Sequence, residues 1–178
     1  MKKFGFMLSL LLTSATGFSQ INKGQWLVGG SAGLELSKYG SQDDSKTTMV
    51  NVSPDAGYFF INNFAGGARV TFQSVKEKSE ENATTSFLFA PFVRYYFLPA
   101  AQKVNIFGDA SYGFGSMKSG ESESFNQFTI SAGPAVFLSP NTALEFTLQY
   151  RSAGGDAYGD DRLNSFGLNV GFQVHLGK

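Results

Sequence analysis

Apolar and polar residues alternate one by one along most of the chain, which is the period of a half-buried β-strand. Apolar residues at helical spacing are almost absent after the first 20 residues. Clusters of Gly, Pro, Asn and Ser separate the alternating segments, as expected of turns. The pattern predicts eight strands, at 25–36, 47–60, 64–73, 84–97, 103–115, 125–138, 142–152 and 166–176.

The connections between these strands alternate in length. Short ones centre on Asn62-Asn63, on Pro99-Ala100-Ala101 and on Pro140-Asn141, and long ones cover 37–46, 74–83, 116–124 and 153–162. Bacterial outer-membrane barrels have an even number of strands, short periplasmic turns and longer extracellular loops. The fold class predicted is therefore all-β: a transmembrane antiparallel up-and-down β-barrel of eight strands.

The N-terminus has the features of a secretory signal peptide. Lys2 and Lys3 precede a short apolar run from Phe6 to Leu12, and Gly17 and Ser19 supply small residues before a cleavage point. The apolar run is too short for a transmembrane helix, which needs about 20 residues. We predict a cleaved signal peptide at 1–19 and one outer-membrane β-barrel domain at 20–178.

Composition excludes several classes of protein. The chain has no cysteine, so a disulfide scaffold and a thiolate metal site are excluded. It has 14 basic and 14 acidic residues, and removal of Lys2 and Lys3 leaves 12 basic against 14 acidic. This balance gives no basic surface for nucleic acid.

Alternation alone fits two kinds of barrel. A transmembrane barrel turns its apolar side to lipid, whereas a soluble lipocalin-like carrier turns it inward around a ligand. All ten lysines lie outside the interiors of the predicted strands, although a soluble barrel needs charged residues along its outer faces. The lysines favour the transmembrane barrel, whose lipid-facing side would carry aromatic residues near the headgroups, at Trp26, Tyr58, Tyr95, Tyr112 and Tyr150.

The polar faces of the strands carry mainly Gly, Ser, Thr, Asn and Gln, with a few charges of both signs. Charges at low dielectric need partners, and arginine pairs with carboxylates in a bidentate geometry. The pattern therefore predicts a charge network inside the barrel, with seven members: Glu35, Asp55, Arg69, Arg94, Asp109, Glu145 and Arg151.

Three prolines fall within predicted strands, on the lipid-facing side: Pro54, Pro91 and Pro134. Proline cannot donate a ladder hydrogen bond, so we expect a β-bulge at each of these positions.

Catalytic and metal-binding chemistry finds little support. His175 is the only histidine, and its position near the C-terminus predicts a polar residue at the periplasmic rim. The acidic residues of the long connections do not have the spacing of a calcium-binding loop. We predict no enzymatic activity, no cofactor and no metal site.

The segment VSPDAGYFF at 52–60, followed by Asn62-Asn63-Phe64-Ala65-Gly66, resembles the second hairpin of small eight-stranded outer-membrane barrels. These are the OmpA-like and OmpW-like barrels, and most closely the short Bacteroidota-type outer membrane protein beta-barrel domain. The resemblance covers nearly all of the mature chain. The ending Gly177-Lys178 departs from the terminal aromatic residue typical of barrel-insertion signals.

Two functions follow from these observations. The first is an integral outer-membrane barrel with a structural or surface-interaction role and a lumen filled by polar side chains. The second, implied by the OmpW-like resemblance, is a narrow channel or binding site for small hydrophobic molecules. The lipocalin-like carrier is a third alternative. The expected partners are outer-membrane lipids, the barrel-assembly machinery and a small hydrophobic ligand, but not nucleic acid, and the expected state is a monomer.

Overall fold

The computed structural model describes residues 21–38, 46–77, 84–119 and 121–177. Eight antiparallel strands follow one another around a closed barrel, and β8 pairs with β1 to complete it. A single turn of 3₁₀ helix, Asp156–Tyr158, joins β7 to β8. The strands are β1 (Trp26–Lys38), β2 (Lys46–Ile61), β3 (Phe64–Glu77), β4 (Thr84–Tyr96), β5 (Val104–Ser119), β6 (Glu121–Ser139), β7 (Thr142–Gly155) and β8 (Gly159–Leu176). The eight-stranded up-and-down barrel is therefore confirmed.

Most strands are longer than predicted at the end of the barrel that we call the mouth, which lies opposite the three short connections. Two predicted long loops are wrong, because most of 116–124 belongs to β5 and β6 and most of 153–162 to β7 and β8. The alternation of apolar residues is lost in these extensions, although the backbone ladder continues from Phe114↔Asn126 to Ser119↔Glu121. Residues 39–45 and 78–83, in the other two predicted loops, lie outside the described residues.

The opposite end, which we call the base, contains the three short connections and the segment 21–25. Asn63 has a φ of 68° at the β2–β3 turn, a left-handed conformation that asparagine tolerates better than most residues. Its backbone N–H donates to the carbonyl of Ile21 at 2.9 Å, and Gly24 N–H donates to the carbonyl of Phe59 at 2.9 Å. These bonds hold the N-terminal segment beneath the barrel, with the side chain of Ile21 fully buried.

The outer surface of the barrel is apolar. Phe166, Leu168 and Phe114 are 70%, 72% and 62% exposed, although each is a large hydrophobic residue on a regular strand. Burial of apolar side chains is the main favourable term for folding in water, so a surface of this kind belongs in a lipid environment. The lipocalin-like alternative is wrong, since its apolar side would have to face inward.

Aromatic pairs lie at both edges of this apolar surface. Trp26 contacts Tyr58 near the base, with ring centroids 5.3 Å apart. Tyr150 contacts Phe166 nearer the mouth, at 5.2 Å. Tyrosine and tryptophan are enriched at membrane interfaces because one end of the ring is apolar and the other polar.

The three prolines within strands do not produce the bulges that we expected. Pairing between β2 and β3 passes from Val52↔Phe72 to Asp55↔Arg69 in the same register, skipping Pro54. Pro91 and Pro134 are skipped in the same way, in the pairing of β4 with β5 and of β6 with β7. The missing N–H interrupts the ladder locally, and continuous pairing above and below fixes the register. Register shifts occur instead near the strand ends, as between Phe59 and Ile61.

Candidate functional site: the interior of the barrel

Five charged side chains meet in the middle of the barrel, and strand register places four of them in two opposite pairs. Asp55 on β2 lies opposite Arg69 on β3, and Arg94 on β4 lies opposite Asp109 on β5. Residues directly opposite on neighbouring antiparallel strands have Cβ atoms about 5 Å apart, so each pair can interact inside the barrel. Glu145 reaches the group from β7.

Asp109 joins the two arginines. Arg69 donates through Nη1 to Asp109 Oδ1 at 3.2 Å and through Nη2 to Asp109 Oδ2 at 3.1 Å. Arg94 donates through Nε to the same Oδ2 at 3.1 Å. This carboxylate is fully buried and accepts three charge-assisted hydrogen bonds, which compensate for its removal from water.

The chain of ion pairs continues at both ends. Arg69 Nη2 lies 3.2 Å from Asp55 Oδ2, and Gln173 donates to the other oxygen of Asp55 at 3.0 Å. Arg94 Nη1 donates to both oxygens of Glu145, at 3.0 and 3.1 Å. Three carboxylates and two guanidinium groups thus form one connected cluster across the lumen, which we call the ion-pair network.

Aromatic rings support the guanidinium groups. The Cζ atom of Arg69 lies 4.8 Å from the centroid of the Phe92 ring, and that of Arg94 lies 4.5 Å from the centroid of Phe107. Tyr96 donates its hydroxyl to Glu145 Oε1 at 3.1 Å. Cation–π contacts strengthen when the cation is desolvated, so these rings stabilise the buried arginines as well as filling space.

Arg151 lies apart from the ion-pair network. It donates to Gln73 Oε1 at 3.2 Å and contacts Met49 Sδ at 3.5 Å, nearer the mouth. The side chain of Glu35 lies outside the described residues. Of the seven residues predicted for the interior, the structure therefore places five in one connected group and Arg151 in a second environment.

Two apolar clusters lie above and below the polar interior. The base cluster joins the rings of Phe59, Tyr96, Phe107 and Phe137 to smaller side chains that include Ile21 and Leu27. The mouth cluster contains Leu88, Ala90, Phe125 and Ala153, with Ala157 and Tyr158 of the 3₁₀ turn packed against it. The lumen is polar in its middle, as predicted, and an apolar cluster lies towards each of its ends.

His175 belongs to the base, where its environment differs from the predicted polar rim. The residue is fully buried. Its ring lies 5.6 Å from that of Phe59, 6.0 Å from that of Tyr96 and 5.4 Å from that of Phe137, measured between centroids. These contacts make His175 a packing residue of the base. Within the described residues, no three His, Cys, Asp or Glu side chains are grouped so that they could hold a metal ion.

Sequence reasoning missed several residues of this interior: Phe92, Tyr96, Phe107 and Gln173. A signal for two of them was present, because Phe92 and Tyr96 interrupt the polar face of the fourth predicted strand. In the structure they point inward with Arg94, and all three are buried. Large apolar residues at inward positions therefore indicated a filled lumen.

The chain belongs to the outer membrane protein beta-barrel domain family, whose model matches residues 5–173. It is thus an outer-membrane β-barrel with a polar lumen, located in the outer membrane of Gram-negative bacteria. Within the described residues, no helix is long and apolar enough to cross a bilayer.

Two solved structures share the fold. Neisserial surface protein A has a TM-score of 0.60 and 15% identity, with 85% of this chain and 97% of that chain covered. The outer membrane protein OprG from Pseudomonas aeruginosa has a TM-score of 0.57 and 10% identity, with 92% and 100% covered. A comparison with curated protein sequences gave no match.

Proposed function

We propose that this protein is a non-catalytic outer-membrane barrel with a structural or surface-interaction role and a sealed lumen. The packed interior carries this conclusion. Side chains of the base cluster and the ion-pair network follow one another along the barrel axis, and Tyr96 and Phe107 contact both. An eight-stranded barrel is just wide enough for side chains to fill it, so this packing leaves little room for a solute path.

The length of the strands at the mouth supports a surface role. β5 has 16 residues and β6 has 19. A membrane-spanning strand needs about 9–11 residues, so the β5–β6 hairpin extends well beyond the bilayer. Its tip carries exposed Glu121 and Glu123, which suits contact with other molecules in water better than contact with lipid.

Several further features belong to the same proposal. Residues 1–19 are removed as a signal peptide, and residues 20–178 are inserted as one domain by the barrel-assembly machinery. The base faces the periplasm and the mouth faces outward, since short turns of such barrels lie on the periplasmic side. The protein acts as a monomer, because its sheet closes on itself and leaves no strand edge that requires a partner.

Conductance separates a sealed barrel from a narrow channel. The purified protein in a planar lipid bilayer is expected to give no stable conductance steps. Arg69→Gln is expected to lower stability without opening a channel, and Lys103→Gln, an exposed cation near a short turn, serves as the matched control. Stable steps in the wild type that change in Arg69→Gln but not in Lys103→Gln would show a pore lined by Arg69.

A further inference from the structure

The outer face of the barrel carries a polar patch at the upper edge of its apolar surface. On β8, the outward residues from Phe166 to Leu176 are all apolar, and these 11 positions match the length that spans a bilayer. Asn164 and Arg162 follow on the same face of the strand. On β6 and β7, the outward positions beside them are Asn126 and Ser152. We call these four residues the Arg162 patch.

Hydrogen bonds hold the guanidinium group of Arg162 in this patch. Nε donates to Ser152 Oγ at 3.0 Å, Nη2 donates to the carbonyl of Ser152 at 2.7 Å, and Nη1 donates to Asn126 Oδ1 at 3.1 Å. Gly154 leaves space for the guanidinium group, because a Cβ atom on residue 154 would lie 2.7 Å from Arg162 Nη1. The guanidinium group therefore lies flat across β7 and is fixed in orientation.

Arg162 is the one arginine that lies outside the barrel interior. A guanidinium group has five N–H donors, and three of them are used in the bonds just described. The other two are available on an exposed side chain, and its partners among the described residues are neutral. An exposed arginine with two unused N–H donors is suited to bind an anion with several acceptor oxygens, above all a phosphate group.

The position of the patch identifies the source of that phosphate. Phe166 and Tyr150, directly below the patch, pack together and face the hydrocarbon. The hydroxyl of Tyr150 donates upward to Asn164 Oδ1 at 2.9 Å, so the change from apolar to polar occurs within one side chain. An anion beside Arg162 would thus lie at headgroup height, with its acyl chains against Phe166 and Leu168.

We propose that the Arg162 patch is a binding site for a phosphorylated lipid of the outer leaflet, with the phosphate on Arg162 and the acyl chains along β8. The inference goes beyond the proposed function and takes from it only the orientation of the barrel, with the mouth facing outward. The patch lies at the mouth, so the lipid class is the one whose phosphates face outward: a phosphorylated glycolipid such as lipid A.

The test compares lipids that differ only in phosphate. The full chain is folded in detergent, mixed with equal amounts of diphosphoryl and dephosphorylated lipid A, and analysed by native mass spectrometry. Wild type is expected to retain the phosphorylated lipid about tenfold better, the effect of one hydrogen bond to a charged group. Arg162→Gln should remove the preference, and Arg162→Lys should restore part of it because the charge returns without the fork geometry.

Controls separate this site from general charge attraction and from loss of the fold. Lys103→Gln removes one exposed cation at the base and should leave the preference unchanged. Each variant must keep the difference in gel migration between unheated and heated samples, which shows that the barrel is folded. Inorganic phosphate should not displace the lipid, because the acyl chains contribute to binding.

Any one of four results would overturn the proposal. One is the absence of a phosphate preference in the wild type, and another is a preference that survives in Arg162→Gln. The third is an equal loss of preference in folded Lys103→Gln. Displacement by inorganic phosphate would overturn the lipid as the ligand, since the site would then recognise the anion alone.

Discussion

Arg94 and Asp109 lie directly opposite each other on β4 and β5, and their side chains form an ion pair of 3.1 Å inside the barrel. Arg94 continues to Glu145 on β7, so one side chain links three strands across the lumen. A cross-link of this kind holds opposite walls of the barrel together. It also makes the network vulnerable, because removal of one partner leaves the others charged and buried.

Arg94→Gln is expected to lose about 3–5 kcal/mol of unfolding free energy, since Asp109 and Glu145 lose their shared partner in a buried site. Urea unfolding in lipid vesicles, followed by the fluorescence of Trp26, measures the change. Lys103→Gln should stay within about 0.5 kcal/mol of wild type, as exposed substitutions usually do. Equal stability of Arg94→Gln and wild type would contradict a structural role for the network.

Glu145→Gln is expected to cost much less than Arg94→Gln, about 1–2 kcal/mol, as for a neutralised hydrogen-bond partner. The described network holds three carboxylates for two guanidinium groups, so neutralising one carboxylate reduces an excess of negative charge. The amide oxygen of glutamine can still accept from Arg94 and Tyr96. The same unfolding assay tests the order of the two variants, and a larger loss for Glu145→Gln would show that charge balance does not govern the network.

Phe107→Ala is expected to lose about 3–5 kcal/mol, because a fully buried ring is replaced by a cavity and Arg94 loses its aromatic contact. Phe114→Ala, on the same strand but facing outward with 62% exposure, is the matched control. Its loss should be much smaller, since lipid can occupy the space. Similar losses for the two variants would contradict the assignment of opposite faces.

The sequence predicts the fold and the direction of a side chain only where the two faces of a strand meet different environments. Alternation was sufficient to predict the barrel and the inward direction of Asp55, Arg69 and Arg94. Each strand of the barrel separates lipid from the lumen, so its two faces carry different kinds of residue. It could not predict the contact of Arg94 with Glu145, because these residues are 51 positions apart in the sequence. Their distance depends on the diameter of the barrel and on the relative positions of β4 and β7.

Two other features lacked any alternating signal. The extension of β6 from Glu121 to Ser124 is exposed on both faces, so its side chains have no apolar period. Ile21 lies in a segment outside the strands, and its burial depends on hydrogen bonds to the β2–β3 turn. Both features were therefore missed, because the alternating pattern reports only those strand segments whose two faces meet different environments.

Trp26 is the only tryptophan and is 55% exposed on the outer face near the base, so its fluorescence reports contact with lipid. Lipids brominated high on the acyl chain should quench it more than lipids brominated near the chain end. In a Trp26→Phe and Phe146→Trp variant the order should reverse, because Phe146 lies nearer the middle of the apolar surface on β7. Dominant quenching of Trp26 by aqueous iodide would contradict its place in the membrane interface.

The most direct test of the account is the migration of the protein from the outer-membrane fraction on SDS gels, with and without boiling. A closed transmembrane barrel should fractionate with the outer membrane and migrate differently after boiling, because the barrel resists SDS until heat unfolds it. Recovery as a soluble periplasmic protein, with no change in migration on boiling, would contradict the account, since the exposed apolar face requires lipid.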